Sequence, residues 1–356
     1  MSESHSLHRQ RIPSITGVKV IAVLIIFLGH TSMFEGKLPS ARMCELFFAC
    51  SGILEAINHY GSYSYSLPET FDIAKRKYTS ILPLYVTTFV IAAMLGAVGI
   101  GQWSLKNNMT AGLLNLLMLQ PWFPSIQFSF NGVSWFIADL MLCYIVTPFL
   151  SYLLSAREQK ARQSGWTVFF IPAVCFFFVR LLLQYADLRQ VILIDTHCNP
   201  LARLMEYCMA YSVGSWLAAD KSSWRDHSGV YFDSLTELFV ILIYIIGILN
   251  FNDTWWSQPI FSVWAVVIVV TFVRCRGVLS RLLSLGIIDR FSAIQMPFYM
   301  FHQQIIFLIT YLLSGFDSLA IVAASFVLTC MVSTFWHWFA KNHLCKVALG
   351  YIKDRK

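Results

Sequence analysis

The residues able to do chemistry in this chain lie where apolar residues dominate. The segment Ser14-Ile-Thr-Gly-Val-Lys19-Val-Ile-Ala-Val-Leu-Ile-Ile-Phe-Leu-Gly-His30 sets a cation and an imidazole eleven positions apart. In a helix that spacing is close to three turns, so both side chains share one face, ~16 Å apart along the axis. Glu45, in Glu45-Leu-Phe-Phe-Ala-Cys-Ser51-Gly52, falls at a depth similar to His30 if the next segment runs back antiparallel. A carboxylate beside an imidazole orients the ring and raises its basicity, which suits a general base acting on a hydroxyl. Plainer readings exist: Lys19 snorkelling to an interface, Glu45 a solvated helix-end acid, His30 a packing residue.

Other ionisable residues stand inside apolar runs: Glu55, Asp139, Arg180, Arg203, Glu206, His302 and His337. Each costs a few kcal/mol to place in a bilayer and is a functional candidate by default. Arg203 and Glu206, three apart, share a helix face. With Asp139 and Arg180 they read either as the lining of a polar pocket or as a buried ion pair. Trp122 and Trp135 either stack on a ring-shaped ligand or mark an interface. His302 either holds a ligand or bonds across helices. His197–Cys198 lacks nearby ligands, and no metal site is expected.

These residues need a scaffold, and composition names it. Of 356 residues 57% are hydrophobic and 13% charged, against about 45–50% and about 25% in soluble chains. That balance excludes a disordered chain, a nucleic-acid-binding module and a disulfide-stapled secreted domain. Apolar runs at about 14–34, 40–59, 80–101, 133–154, 166–186, 200–219, 234–250, 258–274, 293–314 and 318–339 are expected to be helices, the chain being a bundle of about ten spans. The run 108–121 is short and closed by Gln120-Pro121-Trp122-Phe123-Pro124, and is expected to be interfacial or half-membrane. With ten spans, nineteen of the 26 Lys and Arg residues fall on the side of the N-terminus, among them Arg9, Arg11, Lys75, Arg76, Lys77, Arg162, Lys221 and Arg225. Only Lys37, Arg42, Lys106 and Arg189 fall opposite. This asymmetry predicts cytoplasmic termini. The first run carries Lys19 and has no A-x-A-like cleavage site before Glu35, so it is expected to remain as a helix. Nine cysteines form no CxxC and no even framework, and read as small packing residues. The whole of 1–356 reads as one membrane unit.

In order along the chain, five short motifs resemble the membrane acyltransferase family 3, multi-span enzymes that O-acylate cell-surface carbohydrates. The first is a basic residue, ten positions and a histidine, here Lys19 and His30. The second is acidic-x-Phe-Phe-x-x-Ser-Gly, here Glu45, Phe47, Phe48, Ser51 and Gly52. A basic cluster follows, leading to a proline, here Lys75-Arg76-Lys77 and Pro83. A Trp-led helix ends in Tyr-x-x-x-Pro, here Trp135, Tyr144 and Pro148. The last is Pro297-Phe-Tyr-Met-Phe-His302, similar to the family's Tyr-Leu-x-His. The chain departs from the pattern at Ser80, where an arginine is frequent, and at Leu140, where many members carry glutamate and this chain has Asp139 one position earlier.

The resemblance implies an acyl-coenzyme A donor, acetyl-CoA foremost, as co-substrate without a tightly bound cofactor, and a sugar hydroxyl as acceptor. Lys75, Arg76, Lys77 and Lys19 would hold donor phosphates at the cytoplasmic mouth of a plasma-membrane protein, with Ser51 beside them. The pantetheine arm is of the order of the ~16 Å from Lys19 to His30. His30, oriented by Glu45, would then deprotonate the acceptor, with an acyl-histidine route as the alternative. Asp139, Arg180, Arg203, Glu206, Trp135 and His302 would form the acceptor pocket. A transporter or flippase, or a glycan polymerase, would also bury charges in spans, but neither would transfer label from acetyl-CoA.

Overall fold

A computed structural model describes residues 11–344 apart from 62–65, 102, 105, 107, 161–165, 192–193, 221–228 and 253. Arg9, Arg162, Lys221, Arg225 and the basic tail from Lys346 lie outside the described residues. The described chain is helical without strands: α1 (Pro13–Gly29), α2 (Ser40–His59), α3 (Leu67–Ala97), α4 (Met109–Leu116), α5 (Trp135–Lys160), α6 (Thr167–Leu188) and α7 (Pro200–Ala219) come first. They are followed by α8 (Val230–Phe251), α9 (Ser257–Arg274), α10 (Val278–Leu283), α11 (Gly286–Ser292), α12 (Gln295–Leu312) and α13 (Ser318–Phe339). Each of the ten apolar runs contains a helix, though the first ends at Gly29 rather than near 34. Between α3 and α5 the eight residues of α4 are too few to cross a bilayer. α10 and α11 are short helices that the sequence reading left as connecting chain.

Among the described residues six segments are long and apolar enough to cross a membrane by length and composition, those built on α3, α5, α6, α8, α9 and α13. They divide by burial. Only 22% of the apolar window of α6 and of α8 is buried, against 61% for α5 and α9. The outer helices present Ile171, Val174, Phe178 and Leu182 on α6, and Leu235, Leu238, Phe239 and Leu242 on α8, to the exterior. Exposed apolar surface on that scale belongs in lipid, and the chain is a multi-pass membrane protein. The centre is built from α1 together with the more polar helices α2, α7 and α12, and these three bury Glu45, Arg203, Glu206 and His302. One cluster of buried residues runs through the bundle from Ile15 to Val322.

Lipid tails are as apolar as leucine, so helices in a membrane associate through close packing rather than through escape from water. α2 and α7 use glycine for this. A Cβ on Gly52 would stand 2.7 Å from the Tyr207 carbonyl oxygen, and one on Gly214 would stand 2.7 Å from Ile53 Cα. The segment after α4 is tied to α3 by buried hydrogen bonds. Tyr85 Oη donates to the Asn115 carbonyl (2.9 Å), Gln120 Nε2 donates to Tyr85 Oη (3.0 Å), and Asn115 Nδ2 donates to Ser129 Oγ. At the far end of α8, the Glu237 carboxylate accepts from the backbone N–H groups of Gly277, Leu279 and Ser280, fixing the entry to α10.

Gly52→Val or Gly214→Val is expected to force α2 and α7 apart and to cost about 1–3 kcal/mol or more. Thermal unfolding in detergent reads this as a clear drop in Tm. Gly315→Val, with open space around it, serves as the control and leaves Tm in place.

Candidate active site

α1 carries Lys19 and His30 to opposite ends of a run of cavities. At the Lys19 end, a cavity of about 450 Å³ is lined by Arg11, Lys19, Ser51, Glu55, Tyr144 and Gln295, among others. A second cavity of about 260 Å³ shares Lys19, Ser51, Tyr144, Ser292 and Gln295 with the first and continues to Phe136, Met296 and Tyr299. The third, about 190 Å³, contains His30 with Ser40, Cys44, Trp135, His197, Tyr299 and Gln303. Tyr299 lines both the second and the third and is the partition between them. Its hydroxyl donates to the Val133 carbonyl at 3.0 Å, which fixes the ring.

His30 lies at the C-terminal end of α1, where Gly29 lets the helix abut Ser40 at the start of α2. Its Nδ1 lies 2.8 Å from Nε2 of His302 on α12, and the rings are stacked with centroids 5.0 Å apart. His302 Nδ1 lies 2.6 Å from the Tyr299 carbonyl. A carbonyl only accepts, so His302 carries its proton on Nδ1 and, as a neutral ring, accepts at Nε2. His30 must then donate from Nδ1. The hydrogen-bond chain therefore leaves His30 Nε2 as the lone-pair nitrogen.

This corrects the expectation for Glu45. Its Oε1 accepts from Arg42 Nη1 at 2.8 Å, and Oε2 has no hydrogen-bond partner among the described residues. The group that orients His30 is His302. Arg42, counted among the charges of the outer side, is buried, where it also reaches Asn252 and Ser257 and lies over the Phe261 ring. A guanidinium has five donors to satisfy, and here Glu45 on α2 itself, Asn252 and Ser257 supply the acceptors.

The expected acceptor pocket is also redrawn. Arg180, Arg203, Glu206 and Asp139 are each at most 2% exposed, so none presents surface to a ligand. Glu206 bridges the two arginines: Oε1 accepts from Arg180 Nε at 2.9 Å and Oε2 from Arg203 Nη1 at 2.6 Å. Arg180 also donates to Gln184 and Gln258. Arg203 packs over Phe48 and Trp135 and reaches His197. The cluster forms a wall behind the His30 cavity, with Trp135 between. Asp139 belongs to the same wall, and its two carboxyl oxygens have no hydrogen-bond partner among the described residues.

Of the residues expected at the donor phosphates, Lys19 and Ser51 line the cavities. Lys75 and Arg76 are exposed on α3. Lys77 is bonded to Glu55 at 3.0 Å and lies over the Tyr144 ring. The structure adds Arg11 to the first cavity, where it pairs with Asp289 and donates to Ser292. Sequence reasoning missed Arg11 as a site residue because nothing in its flanking charge distinguished it. Likewise His197 was set aside for want of ligands, yet it lines the His30 cavity.

The comparisons with known proteins bear on this arrangement. The family model described as "Acyltransferase domain", acyltransferase family 3, matches residues 12–338. The chain belongs to that family. The motif residues Lys19, His30, Trp135 and His302 all lie within the matched stretch. The "Acyltransferase MdmB" of Streptomyces mycarofaciens is 28% identical over 188 residues, covering 48% of this chain and 46% of that protein. The chain thus aligns with about half the length of this relative. No solved structure matches the chain.

Removing the central carboxylate should be far costlier than removing a surface charge. Glu206→Gln leaves Arg180 and Arg203 buried without their counter-charge and is expected to lose about 3–5 kcal/mol. Lys75→Gln should stay within about 0.5 kcal/mol. Detergent thermostability, followed by the fraction still monodisperse after heating, separates the two.

Proposed function

We propose that this acyltransferase moves an acyl group, acetyl foremost, from cytosolic acyl-CoA to a hydroxyl of a cell-surface polysaccharide or its lipid-linked precursor. In this reading the chain crosses the plasma membrane ten times, with both termini cytoplasmic. The observation that carries it is the run of cavities from Lys19 to His30, ending at an imidazole nitrogen whose lone pair is set free by the His302 bond. Arg11 and Lys19 supply cationic groups at the cytoplasmic mouth, as phosphates require, with Lys75 and Arg76 exposed on α3. A flexible pantetheine arm then runs past Ser51, Tyr144 and Tyr299.

The chemistry follows from the tautomers. His30 Nε2 takes the proton of the acceptor hydroxyl as its oxygen attacks the thioester carbonyl. The tetrahedral intermediate collapses with cleavage of the C–S bond. The proton on His30 passes to the departing CoA thiolate, leaving an ester and free CoA thiol. His302 stabilises the charged ring from its Nε2 without taking the proton, since its Nδ1–H is committed to the Tyr299 carbonyl. Trp135 in the same cavity offers a flat apolar face to a sugar ring.

The test is transfer of label from radioactive acetyl-CoA to surface glycan in membranes carrying the protein. His30→Ala should lower transfer by about 10²-fold or more, and Lys19→Ala should act mainly on the KM for acetyl-CoA. His302→Ala should retain more activity than His30→Ala, because it removes orientation and leaves the base. Full transfer by His30→Ala, or no label from acetyl-CoA with the native protein, would refute the proposal.

A further inference from the structure

The His30 cavity holds a second imidazole in the opposite state. His197 sits in the loop before α7. This loop is pinned from several sides: Asp195 Oδ1 accepts from the His197 backbone N–H (2.9 Å), and Gln127 Nε2 donates to Asp195 Oδ2. Asn199 Oδ1 caps α7 by accepting from Leu201 N at 3.0 Å. On the ring itself, Arg203 Nη2 lies 2.9 Å from Nδ1, while Arg203 Nε donates to the His197 carbonyl at 2.7 Å. A guanidinium has only donors, so His197 Nδ1 is the acceptor and the proton is on Nε2. The ring packs against Trp135, centroids 5.1 Å apart, and lines the cavity that contains His30. Among the described residues nothing engages Nε2.

The two rings are thereby sorted by what each Nδ1 touches. His30 donates a hydrogen bond from Nδ1–H to His302 and keeps a lone pair at Nε2. His197 accepts a hydrogen bond from Arg203 at Nδ1 and keeps its N–H at Nε2, and both residues line the cavity. They line one space of about 190 Å³, room for about six waters at ~30 Å³ each.

We infer that His197 is a further catalytic residue: a neutral hydrogen-bond donor whose Nε2–H binds the thioester oxygen as it becomes an oxyanion. The inference rests on the acyl-transfer reading above. In the step, the acceptor oxygen forms its bond to the thioester carbon and the carbonyl π pair moves onto oxygen. His197 holds that charge without releasing its proton, and the pair returns when the C–S bond breaks. A donor that stays neutral is suited to this, because it stabilises the oxyanion without titrating. Burial and the Arg203, Arg42 and Arg180 guanidiniums hold the His197 imidazole well below its ordinary value. The facing charges are those three from α7, α2 and α6, with Glu206 between two of them and Asp195 on the loop itself.

The experiment compares His197→Ala, His197→Phe and His197→Gln with His30→Ala in membranes, reading label transfer from radioactive acetyl-CoA against donor concentration and pH. Removing one oxyanion donor is expected to lower kcat about 10²–10³-fold, with the KM for acetyl-CoA within about threefold of native. Gln keeps an N–H at the far end of the side chain and is expected to recover kcat to within about tenfold of native, with an unchanged pH–rate profile. Detergent thermostability is read on each variant, and His197→Phe preserves ring volume should His197→Ala fail to fold. Native-like kcat in both His197→Ala and His197→Phe, with His30→Ala inactive, overturns the donor role and leaves the acyl-transfer reading standing. His197→Gln as impaired as His197→Ala overturns it too. An active His30→Ala removes the reading on which both rest.

Discussion

One carboxylate between two guanidiniums holds the centre of this protein together. Glu206 faces Arg180 on α6 and Arg203 on its own helix, all three cut off from solvent. In a bilayer-spanning bundle no water is at hand to solvate an unmatched charge, so the groups must satisfy one another or not be there. Two cations against one anion leave positive charge over, and the remaining donors go to neutral oxygens on Gln184, Gln258 and the His197 backbone. The cluster thus fixes α6, α7 and α9 together with the loop before α7.

That loop turns a structural ion pair into a chemical instruction. Arg203 meets Glu206 on one side and the His197 ring on the other. The charge network that knits the helices therefore also sets which nitrogen of His197 carries its proton. A similar logic acts across the cavity, where a main-chain carbonyl on α12 sets the tautomer of His302 and, through it, that of His30. Neither imidazole selects its own state; each inherits it from a group of fixed polarity one bond away. Placing two imidazoles of opposite polarity about one small space is a compact way to pair base with electrophile when charged side chains would be costly to expose.

Access depends on packing of a different kind. α2 presses against α7 at Gly52 and Gly214, while on another side Ser51 faces the cavities. Phe47 and Phe136 pack edge-to-face and both line the middle cavity before Tyr299. The run of cavities from Lys19 to His30 is therefore bounded by aromatic rings along its middle and by polar groups at its ends.

The sequence by itself determined the helices, the membrane, and the face of α1. Apolar runs of ~20 residues have only one way to satisfy their backbone in lipid, and an eleven-residue spacing fixes phase within one helix whatever surrounds it. The same local reasoning found Arg203 beside Glu206, since three residues apart means one face. What pairs across helices was not legible. Arg42 and Glu45, also three apart, pair by the same rule, but no spacing reveals that His302 arrives 272 positions later to hold His30, or that His197 belongs to the cavity. Those choices follow from the rotation and depth at which separate helices meet, and helical period says nothing about either. Three histidines, His30, His197 and His302, were given their roles only by the donor or acceptor that packing set against each ring.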